Sequence, residues 1–130
     1  MPAFMARYSE QAYALMRITS GFLFLWNGTM KLFGFPVASK GEIGPLLLYV
    51  AGPIELVGGI LIAIGLFTRW SAFICSGQMA VAYWSFHALR GLTPLENHGE
   101  RAILYCFVFL FIAARGSGIW SIDAARGRAH

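Results

Sequence analysis

The residues of this sequence best suited to chemistry are polar and ionisable side chains set inside long apolar runs. Glu55 lies close to the centre of the run from Leu46 to Phe67, where it must be either protonated or paired with a cation. Arg17 lies near the start of the preceding run, and Gln78 lies in the following one. A charge within hydrocarbon costs about 2.5–3.5 kcal/mol on insertion scales, so these side chains should face the interior of a helical bundle. We predict that Arg17, Glu55 and Gln78 form a buried network, which serves either packing or proton transfer.

A second set of polar residues lies toward the opposite ends of the runs: Asn27, Lys31, His87 and Glu100. Short connections between helices would bring these ends to the same membrane face, so the sequence predicts a polar cluster or ligand pocket there. Three of these residues also have a simpler role. Lys31 can extend its ammonium to the membrane interface, His87 can bond to backbone, and Glu100 can cap the helix that follows it.

The histidines and cysteines do not follow a metal-binding or redox pattern. His87, His98 and Glu100 are spaced unlike any standard zinc site, so no metal is predicted. Cys75 and Cys106 lie in separate apolar runs and form no C-x-x-C motif, which favours two small buried side chains. A redox pair across neighbouring helices is the alternative, and it requires a disulfide. The sequence also contains no phosphate-binding loop, nucleophile elbow or dinucleotide fingerprint.

The elements that carry these residues are predicted from composition and run length. Of the 130 residues, 58% are hydrophobic and 12% are charged, against about 25% charged in a soluble domain. A transmembrane helix needs about 20 mostly apolar residues, and four windows approach that length. They span about residues 15–33, 46–67, 70–89 and 99–115. We therefore predict an all-α protein, a bundle of four transmembrane helices in a single domain over residues 1–130.

The basic residues indicate orientation rather than a nucleic-acid partner. The net charge is +4, but the Lys and Arg residues are scattered and mark the ends of the apolar windows. Four spans place both termini on one side, together with six of the ten basic residues. The positive-inside rule then favours cytoplasmic termini, including a surface tail over about residues 116–130. The first dozen residues lack a cleavable signal peptide, so the first window should act as both signal and anchor.

Glycines within the windows predict where two of the helices meet. Gly21 and Gly28 are seven residues apart, which places them on one face of the first helix. Gly52, Glu55 and Gly59 share one face of the second helix by the same periodicity. Small residues let helices approach closely in lipid, so these two faces are predicted to pack against each other.

Three stretches of the sequence resemble the DoxX-like family of small four-helix membrane proteins. They are RITSGFLFLWNGTMKLF at residues 17–33, ELVGGILIAIGLFTR at residues 55–69, and the pair NHGERAILY and GSGIWSID within residues 97–123. The resemblance implies the four-helix fold, and it implies a link to membrane oxidoreductases, because some members are similar to subunits of thiosulfate:quinone oxidoreductases. One position departs from the family pattern, which often has His where this chain has Asn27. A role that needs that imidazole cannot pass to Asn27.

The resemblance and the polar residues together lead to three functional hypotheses. The first is an accessory, scaffold or assembly subunit of an oxidoreductase system in the bacterial inner membrane, which is not an enzyme by itself. The second is a quinone-binding subunit of such an oxidoreductase, in which Glu55, His87 and Glu100 move protons. The third is an oligomeric transporter of a small solute. We expect no intrinsic cofactor, and quinone is the one candidate ligand. We expect no nucleic acid and three kinds of partner: the lipid bilayer, membrane or soluble redox proteins, and a second copy of the chain.

Overall fold

The computed structural model describes residues 3–37 and 44–127, and within them all regular secondary structure is helical. Six α-helices are present there: α1 (Ser9–Phe33), α2 (Gly52–Ile64), α3 (Thr68–Ala82), α4 (Pro94–Asn97), α5 (Glu100–Arg115) and α6 (Ile122–Ala125). The all-α class predicted from composition is therefore confirmed. Residues 128–130 of the expected tail lie outside the described part of the chain.

Three of these helices are extended by other helical turns. A 3-10 turn (Ala6–Tyr8) leads into α1, and a π-helical segment (Leu47–Ala51) continues directly into α2. α3 continues through π-helical Tyr83–His87 and a 3-10 turn at Ala88–Arg90. The first helix begins at Ser9, ahead of the apolar window expected from residue 15, because its polar first turn contains no helix-breaking residue.

The described helices differ in their capacity to cross a membrane. By length and composition alone, Leu47–Ile64 is the one helix of the described part that is long and apolar enough to do so. α5 has 16 residues, fewer than the about 20 that a spanning helix needs. α1 has 25 residues but includes Glu10, Arg17 and Lys31. One candidate span is thus found in the described part of the chain, and the four expected from the sequence stay a prediction.

Glycines allow α1 and α2 to pack with their backbones in contact. A Cβ atom placed on Gly21 would lie 2.5 Å from the backbone nitrogen of Ala63 and 2.6 Å from the carbonyl oxygen of Gly59. A Cβ atom on Gly28 would likewise overlap the backbone of Leu56. These pairs run in opposite directions along the two helices, so α1 and α2 are antiparallel. The glycine faces predicted from spacing therefore meet.

The second helix pair, α3 and α5, closes the core from the other side. Phe24 of α1 and Phe109 of α5 are fully buried, with ring centroids 4.8 Å apart in an edge-to-face contact. Tyr105 packs on the same Phe24 ring with a centroid distance of 5.0 Å. The Ser76 hydroxyl of α3 donates a hydrogen bond of 2.7 Å to the Cys106 carbonyl of α5. An aromatic core and a hydroxyl–carbonyl bond therefore hold α5 against α1 and α3.

Candidate functional site

Glu55 is the centre of a buried network that joins three helices. Its Oε1 atom lies 2.5 Å from the Lys31 ammonium of α1, and its Oε2 atom accepts a hydrogen bond of 2.8 Å from the Gln78 amide of α3. The Glu55 side chain is 1% exposed and the Lys31 side chain 17% exposed. Both carboxylate oxygens thus have a hydrogen-bond donor, as a buried charge requires. We call Lys31, Glu55 and Gln78 the central triad.

The antiparallel packing of α1 and α2 positions the central triad. Lys31 lies in the last turn of α1, which runs beside the first turn of α2, where Glu55 lies. Gly52 precedes Glu55 by three residues and Gly59 follows it by four, so all three occupy the face of α2 that contacts α1. The missing side chains at the two glycines bring α1 close enough for Lys31 to reach the carboxylate.

One polar atom of the central triad has no partner in the part of the chain that the structure describes. Gln78 Oε1 is buried and has no hydrogen-bond partner among the described residues. Such atoms are rare, because each one costs about 1–3 kcal/mol. Glu55 also interacts electrostatically with the Cys75 thiol of α3 and the Tyr105 hydroxyl of α5. The site therefore brings together a carboxylate, a cation and, among the described residues, an unused hydrogen-bond acceptor.

Arg17 lies outside the central triad, which corrects the predicted grouping of Arg17 with Glu55 and Gln78. Arg17 is fully buried. It donates to four backbone carbonyls, those of Ile62, Ser117, Ile119 and Trp120. Ile62 follows Glu55 by seven residues, so Arg17 reaches α2 about 10 Å further along its axis than Lys31 does. Lys31 occupies the place that the sequence suggested for Arg17, because the antiparallel packing sets Lys31 beside the start of α2.

Asp123 organises the turn between α2 and α3 from the far end of the chain. Its Oδ1 atom accepts a hydrogen bond of 3.1 Å from the Phe67 amide. Its Oδ2 atom accepts bonds of 3.0 and 2.8 Å from the Thr68 amide and hydroxyl. Phe67 adopts a left-handed φ of 49°, which is uncommon for a bulky side chain. The bond from the Phe67 amide to Asp123 Oδ1 holds this conformation. Asp123 thus takes the place of a capping side chain at the start of α3.

Hydrogen bonding decides the protonation of Asp123. Burial alone would raise the pKa of this carboxyl, but the amide and hydroxyl of Thr68, the amide of Phe67 and the charge of Arg126 favour the ionised form. Together they hold the pKa of Asp123 below its ordinary value. The carboxylate is therefore charged at neutral pH and serves as an acceptor for the turn.

Residues 116–125, which we call the clamp segment, fold back against the bundle. The Gly116 carbonyl accepts a hydrogen bond of 2.6 Å from the Tyr13 hydroxyl, and the Asp123 amide donates one of 2.8 Å to the Gly65 carbonyl. Gly116, Ser117 and Asp123 are buried. The expectation of a surface tail is therefore wrong for the first part of this region, because Arg17 and Tyr13 satisfy its backbone carbonyls inside the fold.

The four residues of the second predicted cluster are not brought together in the described structure. Lys31 joins the central triad, and the Asn27 amide bonds within its own helix to the Phe24 carbonyl at 3.4 Å. The His87 ring lies 3.1 Å from the Asn97 carbonyl through Nδ1. Glu100 is exposed as the first residue of α5, whose capping position is Gly99. A shared pocket is thus not formed, because the buried carboxylate draws Lys31 inward and the loop before α5 binds His87.

Sequence reasoning missed Asn97, which organises that loop. Asn97 is fully buried. Its amide nitrogen donates to the Tyr83 hydroxyl at 3.1 Å and to the Gly91 carbonyl at 3.3 Å, while its side-chain oxygen accepts from the Gly99 amide at 2.9 Å. The signal was present in the motif NHGE, since an Asn side chain commonly bonds to the backbone two residues further on, which here is Gly99.

A groove of about 300 Å³ opens between α2 and α3. Its walls are the apolar side chains of Ile54, Val57, Leu61 and Ile74, with Ser71 and Cys75 along α3. The Cys75 sulfur packs into the space over Gly58 and lies 3.9 Å from the Ile54 carbonyl. Cys75 and Cys106 are both free thiols. The Cys75 thiol therefore forms part of one wall of the groove, and it interacts electrostatically with Glu55.

Comparison with known proteins places these features in a family context. Residues 12–88 match the family model described as DoxX. The chain is 41% identical over 123 residues to an uncharacterized protein of Haemophilus influenzae, covering 90% of this chain and 92% of that one. A second uncharacterized protein of the same organism is 31% identical over 75 residues, or 58% of this chain and 50% of that protein. No solved structure matches the chain.

The matched region contains the functional features of the first three long helices. All three residues of the central triad and Arg17 lie within residues 12–88. The clamp segment lies beyond this range, although the match to the first Haemophilus influenzae protein extends over nine-tenths of the chain.

Proposed function

This chain belongs to the DoxX family of membrane proteins, and we propose that it is an accessory, scaffold or assembly subunit of an oxidoreductase system in the bacterial inner membrane. It would not be an enzyme by itself. A bacterial relative that covers nine-tenths of the chain supports the bacterial setting, and the apolar helix Leu47–Ile64 supports a place in the membrane.

The proposal includes four membrane crossings with both termini in the cytoplasm. The crossings are α1, Leu47–Ile64, the stretch from α3 through Arg90, and α5. α5 rises only about 24 Å, but the Arg69 guanidinium binds its last carbonyls at Ala113, Ala114 and Arg115, which satisfies the end of a short span. Arg7, Arg69 and Arg126 lie with the termini, as the positive-inside rule favours.

The observation that carries the proposal is that buried polar side chains tie the helices to one another. The central triad joins α1, α2 and α3, and Arg17 joins α1, α2 and the clamp segment. Outside these ties, large apolar side chains such as Phe22, Phe73 and Phe107 are exposed. A rigid body with an apolar exterior is suited to holding another membrane subunit, since helices in lipid associate through packing.

The test is a deletion strain complemented by tagged variants and solubilised under mild conditions. We expect wild type to migrate as a complex with a redox protein and to restore the oxidoreductase activity of the membranes. Glu55→Gln should still do both as long as it folds, since its amide can keep the bond to Gln78 and a scaffold does not need an ionised carboxylate. A chain that purifies alone, together with unchanged membrane activities on deletion, would overturn the proposal.

The groove between α2 and α3 favours a second candidate, a quinone-binding subunit. The apolar walls suit an isoprenoid chain, and the Ser71 hydroxyl on the α3 wall could donate a hydrogen bond to a quinone carbonyl. A bound quinone would supply the electron-accepting chemistry, with Glu55 nearby as a proton-bearing group.

Matched substitutions on neighbouring residues separate the two candidates. Leu61→Trp fills the groove, whereas Ile60→Trp adds the same bulk at an exposed position on another face of α2. Quinone that co-purifies with wild type and Ile60→Trp, but not with Leu61→Trp or Glu55→Gln, supports the second candidate. Equal quinone content in all four proteins, or none in any, counts against it.

A further inference from the structure

We propose that the central triad is a proton-binding switch, in which protonation of Glu55 ends its ion pair with Lys31 and replaces the bond accepted from Gln78 Nε2 by a bond donated to Gln78 Oε1. The starting point is the pair of observations on Gln78. Its Nε2 atom donates to Glu55 at 2.8 Å, while its Oε1 atom is buried and has no hydrogen-bond partner among the described residues. The amide therefore uses only one of its two ends in the charged state of the site.

Protonation of Glu55 supplies the donor that Gln78 Oε1 lacks. A carboxylic acid carries one O–H donor, and a half-turn of the Gln78 amide about its terminal torsion would present Oε1 to that donor. The bond that Nε2 now donates to Glu55 is broken in this step, and the new bond runs in the opposite direction. No displacement of α2 or α3 is required, because the two ends of an amide occupy nearly the same volume. The proton comes from hydronium in the acidified solvent, which leaves as water; it forms one O–H bond on Glu55, and Lys31 keeps its own proton.

Lys31 is placed to leave when Glu55 becomes neutral. Its side chain is 17% exposed, against 1% for Glu55, and it lies in the last turn of α1. A long ammonium side chain at a helix end readily extends to the membrane interface once it loses its counter-charge. Proton binding would thus release the polar tie between α1 and α2 while the tie between α2 and α3 persists.

The groups around Glu55 on each packed helix are compatible with this exchange. Lys31 faces it from α1, Gln78 and Cys75 from α3, and Tyr105 from α5. The cation favours the charged state, whereas the thiol, the phenol and the amide are neutral. One cation and one carboxylate therefore set the balance, and the switch requires no partner and no ligand other than a proton.

Infrared difference spectroscopy on the purified chain in lipid tests the first half of the switch. With ¹³C-labelled glutamate, acidification of wild type should produce the carbonyl band of a hydrogen-bonded carboxylic acid before the protein unfolds. Glu55→Gln should abolish the band, and Glu100→Gln, which changes an exposed carboxylate, should keep it. Gln78→Leu should shift the band toward the frequency of a free acid. A wild-type protein that shows no such band, or a band that Gln78→Leu leaves in place, overturns the proposal.

Chemical acetylation tests the release of Lys31 from Glu55. The sequence contains only two lysines, Lys31 and Lys40. The ratio of Lys31 to Lys40 labelling, read by mass spectrometry, cancels the general effect of pH on amine reactivity. In wild type this ratio should rise several-fold on acidification, and in Glu55→Gln it should be high at every pH. A ratio that stays constant in wild type while the acid band appears shows that Lys31 does not leave and overturns the switch. The wild-type measurements decide the outcome even if a variant fails to fold.

Discussion

The Arg17 guanidinium donates a hydrogen bond of 2.7 Å to the carbonyl of Trp120, 103 positions further along the chain. The same side chain reaches the Ile62 carbonyl at 3.1 Å, so one buried cation links α1, α2 and the clamp segment. Trp120 adopts a left-handed φ of 57°, which bulky residues rarely take without support from their surroundings. The bond to Arg17 is part of that support, and the clamp segment therefore depends on it.

Arg17→Met should lower the free energy of unfolding by about 2–4 kcal/mol. The change leaves several buried carbonyls without a donor, and each unsatisfied group costs about 1–3 kcal/mol. Reversible unfolding in mixed micelles, followed by circular dichroism, measures the effect. Arg7→Met is the matched control, since Arg7 is exposed and bonds only to its neighbour Tyr8 among the described residues. Equal stability of the two variants would contradict the role assigned to Arg17.

Asp123 should make stability fall in acid. Its pKa is lower in the folded protein than the 3.8 of an unperturbed carboxyl. A group with a lowered folded-state pKa contributes stability that is complete above the unfolded value and is lost as pH falls through the folded value. The melting temperature of wild type should therefore decline below about pH 4, and Asp123→Asn should show a shallower decline.

Thr68→Val separates the capping bonds from the charge of Asp123. It removes the hydroxyl donor at 2.8 Å but keeps the amide donors of Thr68 and Phe67. We expect a loss of about 1 kcal/mol at neutral pH, the usual size for one hydrogen bond. For the acid prediction, a melting temperature that declines equally in Asp123→Asn and in wild type would show that another carboxylate causes the loss of stability.

The helical class and the α1–α2 contact could be predicted because they follow from local pattern. Run length and composition determine that apolar segments become helices, and seven-residue spacing determines which glycines share a face. The burial of Glu55 followed from the cost of placing a charge in hydrocarbon. These properties depend on one helix at a time, so the sequence alone contains them.

The partner of Glu55 and the fold of the clamp segment could not be predicted in the same way. Arg17 and Lys31 lie about 40° apart on one helical wheel, so either could face α2. The choice depends on how far α2 is offset along α1, which is a tertiary property. The clamp segment has no long apolar run, and its two glycines and two serines are typical of a surface tail. Its burial depends on Arg17, about a hundred residues away.

Gly21→Ala should destabilise the protein by about 1–3 kcal/mol or prevent its folding. The added Cβ atom would lie 2.5 Å from the backbone of Ala63, where no side chain can move aside. Gly77→Ala is the matched control, because a Cβ atom there has open space and alanine favours a helix by up to about 1 kcal/mol. The same micelle unfolding assay compares the two. A Gly21→Ala protein as stable as Gly77→Ala would mean that the two helices are further apart than this packing requires.

Lys31→Met should destabilise the protein more than Glu55→Gln at neutral pH. Removing Lys31 leaves a carboxylate that is 1% exposed without its cation, and breaking a buried pair in this way costs about 3–5 kcal/mol. Removing the charge of Glu55 costs less, because Lys31 is partly exposed and can reach the interface. Unfolding free energies of the two single variants, measured in parallel, check the order.

The double variant Lys31→Met/Glu55→Gln completes the test. It removes both charges, so it should be more stable than Lys31→Met alone, with a coupling energy well above the about 0.5 kcal/mol within which independent sites add. Glu100→Gln combined with Lys31→Met is the control, since Glu100 is exposed and should add no coupling. Additive effects at Lys31 and Glu55 would mean that glycine packing alone holds α1 to α2. In that case the ion pair would not contribute to the scaffold, and its presence in the bundle would have to be explained by its chemistry instead.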